Sequence, residues 1–384
     1  MQIDTFISRS FTEFSNSEKT GGIVLIFCTI LSLALANSSI GKEYLHFWHA
    51  DLAGLSVELW INDALMAIFF LLIGLELERE LYSGELSDLK RALLPALAAA
   101  GGIAVPALIH LTLNYGTPTQ AGLGIPMATD IAFALGVLAL LGSRVPTTLK
   151  VFLAALAVMD DLGAIVVIAL FYTAKVSLVY LAAALAVWTA LLMLNRLFHV
   201  KALAPYLLGG ILMWFLMFKS GVHATISGVL LAFAIPYSSI CDDESSASHR
   251  LEHALHKPVA LLILPLFALA NTGIELSAQW MDGLMTSNSL GVMLGLCVGK
   301  PIGIGLACLL AVGTGLCRLP QGLSWRHIAG AAMLGGIGFT MSIFIANLAF
   351  PNSPGVVISA KLAILCASVT SGVLGYLWLR NKAE

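Results

Sequence analysis

Charge is what this sequence has least of. Of its 384 residues 11% are charged and 59% are hydrophobic, whereas a soluble domain carries about 25% charged residues. With a mean hydropathy of +0.92, an ordinary water-facing surface is excluded and lipid is the expected solvent. A net charge of −2 leaves no basic face for nucleic acid. The six cysteines are scattered: Cys28, Cys297, Cys308 and Cys366 fall in apolar runs, Cys241 and Cys317 in loops. No C-x-x-C pair occurs, so neither a disulfide framework nor a zinc site is expected, and no cofactor is implied. The first twenty residues lack the charged start, apolar stretch and small-residue cleavage site of a signal peptide. Ile7, Phe11 and Phe14 recur there at helical spacing, a pattern suited to lying in the membrane interface or to a frayed tail.

Long apolar runs are plentiful. A spanning helix needs roughly 20 apolar residues, and breaks between runs predict twelve spans near 22–36, 60–75, 92–113, 121–141, 149–173, 178–197, 205–218, 222–236, 258–272, 289–316, 326–349 and 355–379. With twelve spans and both termini on one side, fifteen of the twenty Lys and Arg residues fall on that side and three, Lys42, Lys175 and Lys219, on the other. The positive-inside rule makes the richer side cytoplasmic. The expected organisation is a single transmembrane domain over 1–384, with a cytoplasmic segment 1–20, a bundle 21–379 and a tail 380–384. The longest loops, 37–58 and the acidic-then-basic 237–257, are too short for a catalytic domain. Function therefore lies inside the membrane, and no enzyme activity is expected.

Four ionisable side chains fall deep in the spans: Asp130, Asp160, Asp161 and Lys300. Each costs about 2.5–3.5 kcal/mol there on insertion scales, which makes a functional site the default reading. Asp160 and Asp161 stand in Val158-Met159-Asp160-Asp161-Leu162-Gly163. Adjacent helix positions point about 100° apart, so the two carboxylates do not stack but can border one cavity. In a low dielectric both cannot be ionised cheaply, and such a pair holds a proton or a hard, oxygen-seeking cation. The plainer role, a polar clamp between helices, could be filled by one Asn at lower cost.

Two spans carry helix breakers. Span 4 reads Gly124-Ile125-Pro126-Met127-Ala128-Thr129-Asp130; Pro126 removes a backbone donor, Thr129 offers a hydroxyl and a carbonyl, or back-bonds within its helix, and Asp130 can offset the positive end of a half-helix. Span 11 reads Gly335-Gly336-Ile337-Gly338-Phe339-Thr340-Met341-Ser342, where each glycine weakens a helix by about 1 kcal/mol, unless the glycines serve close packing alone. Interrupted spans in two halves point to a transporter of inverted repeats with a midplane site, here spans 3–5 and 10–12. Gly291, Gly295, Gly299 and Gly303 form a small-residue face for helix packing. Lys300 projects off that face, to pair with Asp160 or Asp161 or to neutralise the negative ends of half-helices.

At these residues the chain resembles the bacterial inner-membrane sodium/proton antiporter family NhaA. The matching stretches are 60–66, 74–80, 128–136, Asp160-Asp161-Leu162-Gly163-Ala164, Ser220-Gly221-Val222-His223-Ala224-Thr225, Leu251-Glu252-His253, Gly299-Lys300-Pro301 and Gly336-Ile337-Gly338-Phe339-Thr340-Met341-Ser342. The resemblance implies an all-α membrane protein of twelve spans that extrudes Na+ or Li+ in exchange for protons, electrogenically and under activation by pH, as a homodimer conferring salt tolerance. Carried over, Asp161 is the main cation ligand, Asp160 a ligand or proton carrier, and Lys300 the partner of Asp160 and a further proton carrier. Thr129 and Asp130 form the crossing in span 4 and join Asp160 and Asp161 in the cation- and proton-binding set, with Na+ or Li+ held at Asp160, Asp161 and Thr129. Glu76, Glu80, Glu252, His253 and His256 belong to a cytoplasmic region of pH response, to which His223 and Gly338 also contribute. Two departures stand out. The family can carry a two-strand hairpin between spans 1 and 2, but 37–58 shows one alternating stretch, Leu55–Trp60, and Glu78 stands where a basic residue is common. Two other functions compete. An intramembrane aspartyl protease needs carboxylates on facing helices in a Gly-x-Gly-Asp context, which Asp160 and Asp161 lack; a sodium-coupled symporter of an organic solute is disfavoured by mid-span Lys300.

Overall fold

The computed structural model describes residues 20–84, 87–172, 176–238, 246–276 and 280–381. The expected interfacial stretch around Ile7, Phe11 and Phe14, the acidic run at 241–244 and the tail beyond 381 lie outside the described residues. The elements in chain order are α1 (Thr20–Ala36), α2 (Gly41–His49), β1 (Asp51–Leu52), β2 (Leu55–Ser56) and α3 (Val57–Tyr82). There follow α4 (Leu89–Asn114), a tighter 3₁₀ segment Gln120–Met127, α5 (Ile131–Leu141), α6 (Thr147–Phe171), α7 (Leu178–Arg196) and α8 (Leu203–Ser220). The remainder are α9 (Ile226–Ala232), α10 (Ala247–Asn271), α11 (Trp280–Leu284), α12 (Ser287–Gly313), α13 (Trp325–Gly335), α14 (Phe339–Ala349) and α15 (Pro354–Arg380).

Among the described residues, nine helices are long and apolar enough to cross a membrane, and up to eleven spans result when each bent pair counts as one. These coincide with eleven of the twelve expected runs. The exception, the eighth run at 222–236, contains only the seven-residue α9. Gly221 ends α8 in the left-handed conformation (φ 82°), and Pro236 lies just beyond the turns that follow α9.

The loop 37–58 does form a hairpin, contrary to the expected departure. β1 and β2 pair antiparallel, Asp51 with Ser56 and Leu52 with Leu55. Ala53 and Gly54 turn between them with φ of 57° and 87°, as a tight two-residue hairpin turn requires. The alternation at Leu55–Trp60 stops at Ser56, whose hydroxyl accepts from Leu59 N–H at 3.2 Å and starts α3.

Backbone contacts divide the chain into two units: one through Leu45, Leu89–Ala164 and from Ala268 onward, the other His46–Asp88 and Ile165–Phe267. In the first, a long helix, a broken one and a long one occur twice: α4, Gln120–Met127 with α5, and α6; then α12, α13 with α14, and α15. α4 and α12 pack backbone to backbone. A Cβ at Gly101 would strike Gly303 O, and one at Gly303 would strike Gly101 O. Gly291, Gly295 and Gly299 face His110, Pro126 and Pro106, so the four-residue glycine period is a packing face. Pro301 lacks the N–H that would close the preceding turn, and Gly295–Gly299 opens into a wider π-type turn just before Lys300.

In the second unit α3 crosses α9 closely. A Cβ at Gly74 would stand 2.7 Å from Ala232 Cβ. Trp188 Nε1 donates to Leu230 O at 2.7 Å and ties α7 to α9. α10 meets the C-terminal end of α3 through polar side chains.

Candidate functional site

The two breaks in the first unit meet. After Met127 the chain is extended at Ala128 (φ −82°, ψ 153°) and Asp130 (φ −81°, ψ 100°), and helix resumes because Asp130 caps α5. Its Oδ1 accepts from Phe133 N–H at 3.0 Å. Its Oδ2 accepts from Thr340 N–H at 3.0 Å and from the Thr340 hydroxyl at 2.6 Å, at the start of α14. Asp130 N–H donates to Ile337 O at 2.6 Å across the breaks. One carboxylate thus faces the positive ends of two half-helices, as inverted units place them. The glycines of span 11 let its break sit close against α12 and α15: a Cβ at Gly336 would lie 2.6 Å from Ser371 Oγ, and one at Gly338 would lie 3.0 Å from Leu296 Cδ2.

On the other side of the crossing lies the cationic partner. Lys300 and Asp160 form an ion pair in which both side chains are 0% exposed. Lys300 Nζ also donates to Thr129 Oγ1 at 2.8 Å. The Thr129 hydroxyl stands 2.6 Å from Asp160 Oδ2 and 2.9 Å from Gly335 O, the last carbonyl of α13. Thr129 therefore joins the carboxylate, the ammonium and the negative end of a half-helix, and does not back-bond within its own helix. Lys300 pairs with Asp160, and through Thr129 it also serves that helix end. Asp160 Oδ1 accepts no hydrogen bond from the described residues and faces Gly102 on α4, where a Cβ would be 3.7 Å away. Asp161, the next residue on α6, is 2% exposed.

The second unit gathers the remaining acids and histidines. Arg79 on α3 donates to Glu252 Oε1 on α10 at 2.5 Å and to Glu80 Oε1 at 3.1 Å. Glu76 lies within electrostatic reach of Arg79, Glu80 and Glu252, and His256 within reach of Arg79 and His253. Buried Glu78 accepts from the Ser248 hydroxyl at 3.1 Å, which gives a polar partner to an acid placed where a base was expected. His223 stands outside this cluster, with Nε2 2.9 Å from Tyr172 O. Gly338 belongs to the crossing of the first unit.

The structure therefore brings together Asp160, Lys300 and Thr129, and separately Glu76, Glu80, Glu252, His253 and His256. It adds Thr340, the Gly335 carbonyl, Arg79 and Ser248. Thr340 and Gly335 stood inside the glycine cluster without a signal of their own; Arg79 was legible only as a base flanked by acids. Among the described residues no group of three or more His, Cys, Asp or Glu side chains is placed to hold a metal ion. A cation at this crossing would be held by carboxylate and hydroxyl oxygens.

The sequence profile of the family described as Na+/H+ antiporter 1 matches residues 12–379. A Na(+)/H(+) antiporter NhaA of Dechloromonas aromatica is 68% identical over 375 residues, covering 98% of this chain and 96% of that protein. Na(+)/H(+) antiporter NhaA 1 of Flavobacterium johnsoniae is 56% identical, covering 97% of each, and NhaA 2 of Pseudomonas syringae pv. syringae is 50% identical over 97% of this chain and 95% of its own. Full-length matches of this strength, together with two broken helices crossing at a buried carboxylate and lysine, place the chain in the Na+/H+ antiporter 1 family as a multi-pass, all-α membrane protein.

Proposed function

We propose that the chain exchanges Na+ or Li+ for protons across the bacterial inner membrane, electrogenically and under activation by pH, with both termini in the cytoplasm. The observation that carries this reading is the wholly buried Asp160–Lys300–Thr129 constellation at the crossing of two broken helices. Oδ2 of Asp160 is engaged by Lys300 and Thr129, while Oδ1 and the neighbouring Asp161 carboxylate supply oxygens of the kind a hard cation takes. Protons and cation compete for these atoms, so loading one excludes the other. Lys300 balances Asp160 until a cation takes that place; the ammonium is then released to pass on a proton, and more than one proton moves per cation. A site with unpaired charge crosses the membrane poorly, because uncompensated buried charge is expensive. Asp130 and the crossing backbone keep the half-helices joined as the two repeats rock about the site.

The cluster of Glu76, Arg79, Glu80, Glu252, His253 and His256 supplies the pH response, with His223 and Gly338 contributing from outside it. The β1–β2 hairpin offers the edge for a homodimer. The protein is a transporter and not an enzyme. In everted membrane vesicles, Asp161→Asn is expected to abolish Na+-driven and Li+-driven proton movement while the protein remains inserted; exchange at the wild-type rate would sink the model. In proteoliposomes, clamping the membrane potential is expected to change the exchange rate, and a rate indifferent to potential rules out the electrogenic form.

A further inference from the structure

Beside the crossing, the first unit contains a groove of about 500 Å³ between α1 and α15, within the ~300–1,000 Å³ range of small-molecule sites. Its walls include Ile30 and Leu33 of α1 and Leu365 and Val369 of α15, and its floor is formed by Phe133 and Phe339. Those two rings touch, with centroids 5.3 Å apart. Phe133 is the residue whose N–H caps onto Asp130, and Phe339 directly precedes Thr340.

The three wall hydroxyls each have a protein partner, and the remaining polar side chain, Cys366, carries only a weakly polar thiol. The Thr29 hydroxyl donates to Leu25 O at 2.8 Å, the Thr370 hydroxyl donates to Cys366 O at 2.7 Å, and the Ser368 hydroxyl accepts from Phe339 N–H at 3.2 Å. A groove this apolar, whose few hydroxyls are already bonded to the protein, gives water little to hold. Its rim is open: Ile30 is 62% exposed and Val369 65%. Val369 lies midway along the spanning helix α15, and Ile30 lies in α1, the longer arm of an apolar pair bent by 114°; at that depth the surroundings are hydrocarbon.

The geometry points to a binding site for a phospholipid acyl chain, entered sideways from the bilayer and ending against the Phe133–Phe339 pair. The half-helices begin in mid-span, so the terminal part of the chain reaches the rings while the headgroup stays at the interface. The occupant packs on the residues that open α5 and α14 and braces the crossing from its lipid side. The assignment needs the membrane location alone and stands apart from the ion-exchange reading.

The test is photocrosslinking of the full chain in phosphatidylethanolamine/phosphatidylglycerol vesicles doped with a phospholipid bearing a diazirine near the end of one acyl chain. Adducts are mapped by mass spectrometry. Labelling of the groove is expected to exceed by several-fold that of the exposed apolar faces of α7 and α8 in the same sample, and to fall when the diazirine is moved next to the headgroup. Val369→Trp, which fills the groove, is expected to remove those adducts and leave the α7 and α8 adducts unchanged; Ile30→Phe serves if the tryptophan variant does not fold. Groove labelling no greater than that of α7 and α8, or labelling that survives the filling substitution, overturns the assignment.

Discussion

At the scale of single residues, the site is a set of charges that would be unaffordable alone. Lys300 and Asp160 are both fully buried, and removing one partner of such a pair costs about 3–5 kcal/mol because the other charge is stranded. Lys300→Ala is therefore expected to lower the unfolding temperature in detergent markedly, while the double variant Lys300→Gln with Asp160→Asn recovers most of the loss, as read by thermal unfolding. Equal stability of single and double variants would show that the pair is not coupled. Thr340 presents a second case. Its hydroxyl reaches Asp130 Oδ2 at 2.6 Å beside its own N–H on the same oxygen, so losing it removes one of two donors, a change of about 0.5–1.5 kcal/mol. Thr340→Val is expected to lose that much stability and to slow exchange, with Thr340→Ser restoring both. Asp160, Asp161 and Lys300 were legible as candidate site residues because a charge in hydrocarbon announces itself. Thr340 was not, because a threonine in an apolar run has no cost to explain.

At the scale of elements, glycine and proline decide where helices touch and where they stop. Gly303 lies against the Gly101 carbonyl, whereas a Cβ at Gly305, two residues on, would meet nothing within 4 Å. Gly303→Ala is expected to push α4 and α12 apart at a cost of about 1–3 kcal/mol for overpacking, lowering both stability and exchange. Gly305→Ala is expected to leave exchange intact and add up to ~1 kcal/mol of helix propensity. Parallel thermal unfolding of the two variants distinguishes packing from a general intolerance of substitution. The four-residue glycine period was visible in the sequence, and so were both interruptions. The hairpin was not, because strands of two residues carry no period to detect. The shortening of the eighth run to α9 was hidden as well: 222–236 is apolar enough to span, and only its packing against α3 within the second unit shows that it forms seven helical residues and turns.

At the scale of the whole molecule, the distribution of basic residues carries the orientation. With fifteen of twenty on one side, both termini are expected in the cytoplasm. In a background without native cysteines, Ala383→Cys is expected to react with a membrane-impermeant maleimide in everted vesicles and Lys42→Cys in right-side-out vesicles; the reverse pattern overturns the topology. Because the shorter α9 removes one run from the list of full-length helices, this labelling also tests whether the chain between α8 and α10 still returns to the side it left. By itself the sequence determined the solvent, the number of apolar runs, the two broken spans and the four charges within them, since each follows from composition or from local backbone chemistry. The pairing of Lys300 with Asp160 was implied by the family resemblance; tertiary structure alone decided that Thr129 joins that pair to the end of α13 and that Asp130 holds the starts of both α5 and α14. Those choices depend on which helices meet at which height, a matter of glycine-to-glycine contact between segments some two hundred residues apart, and no local pattern encodes it.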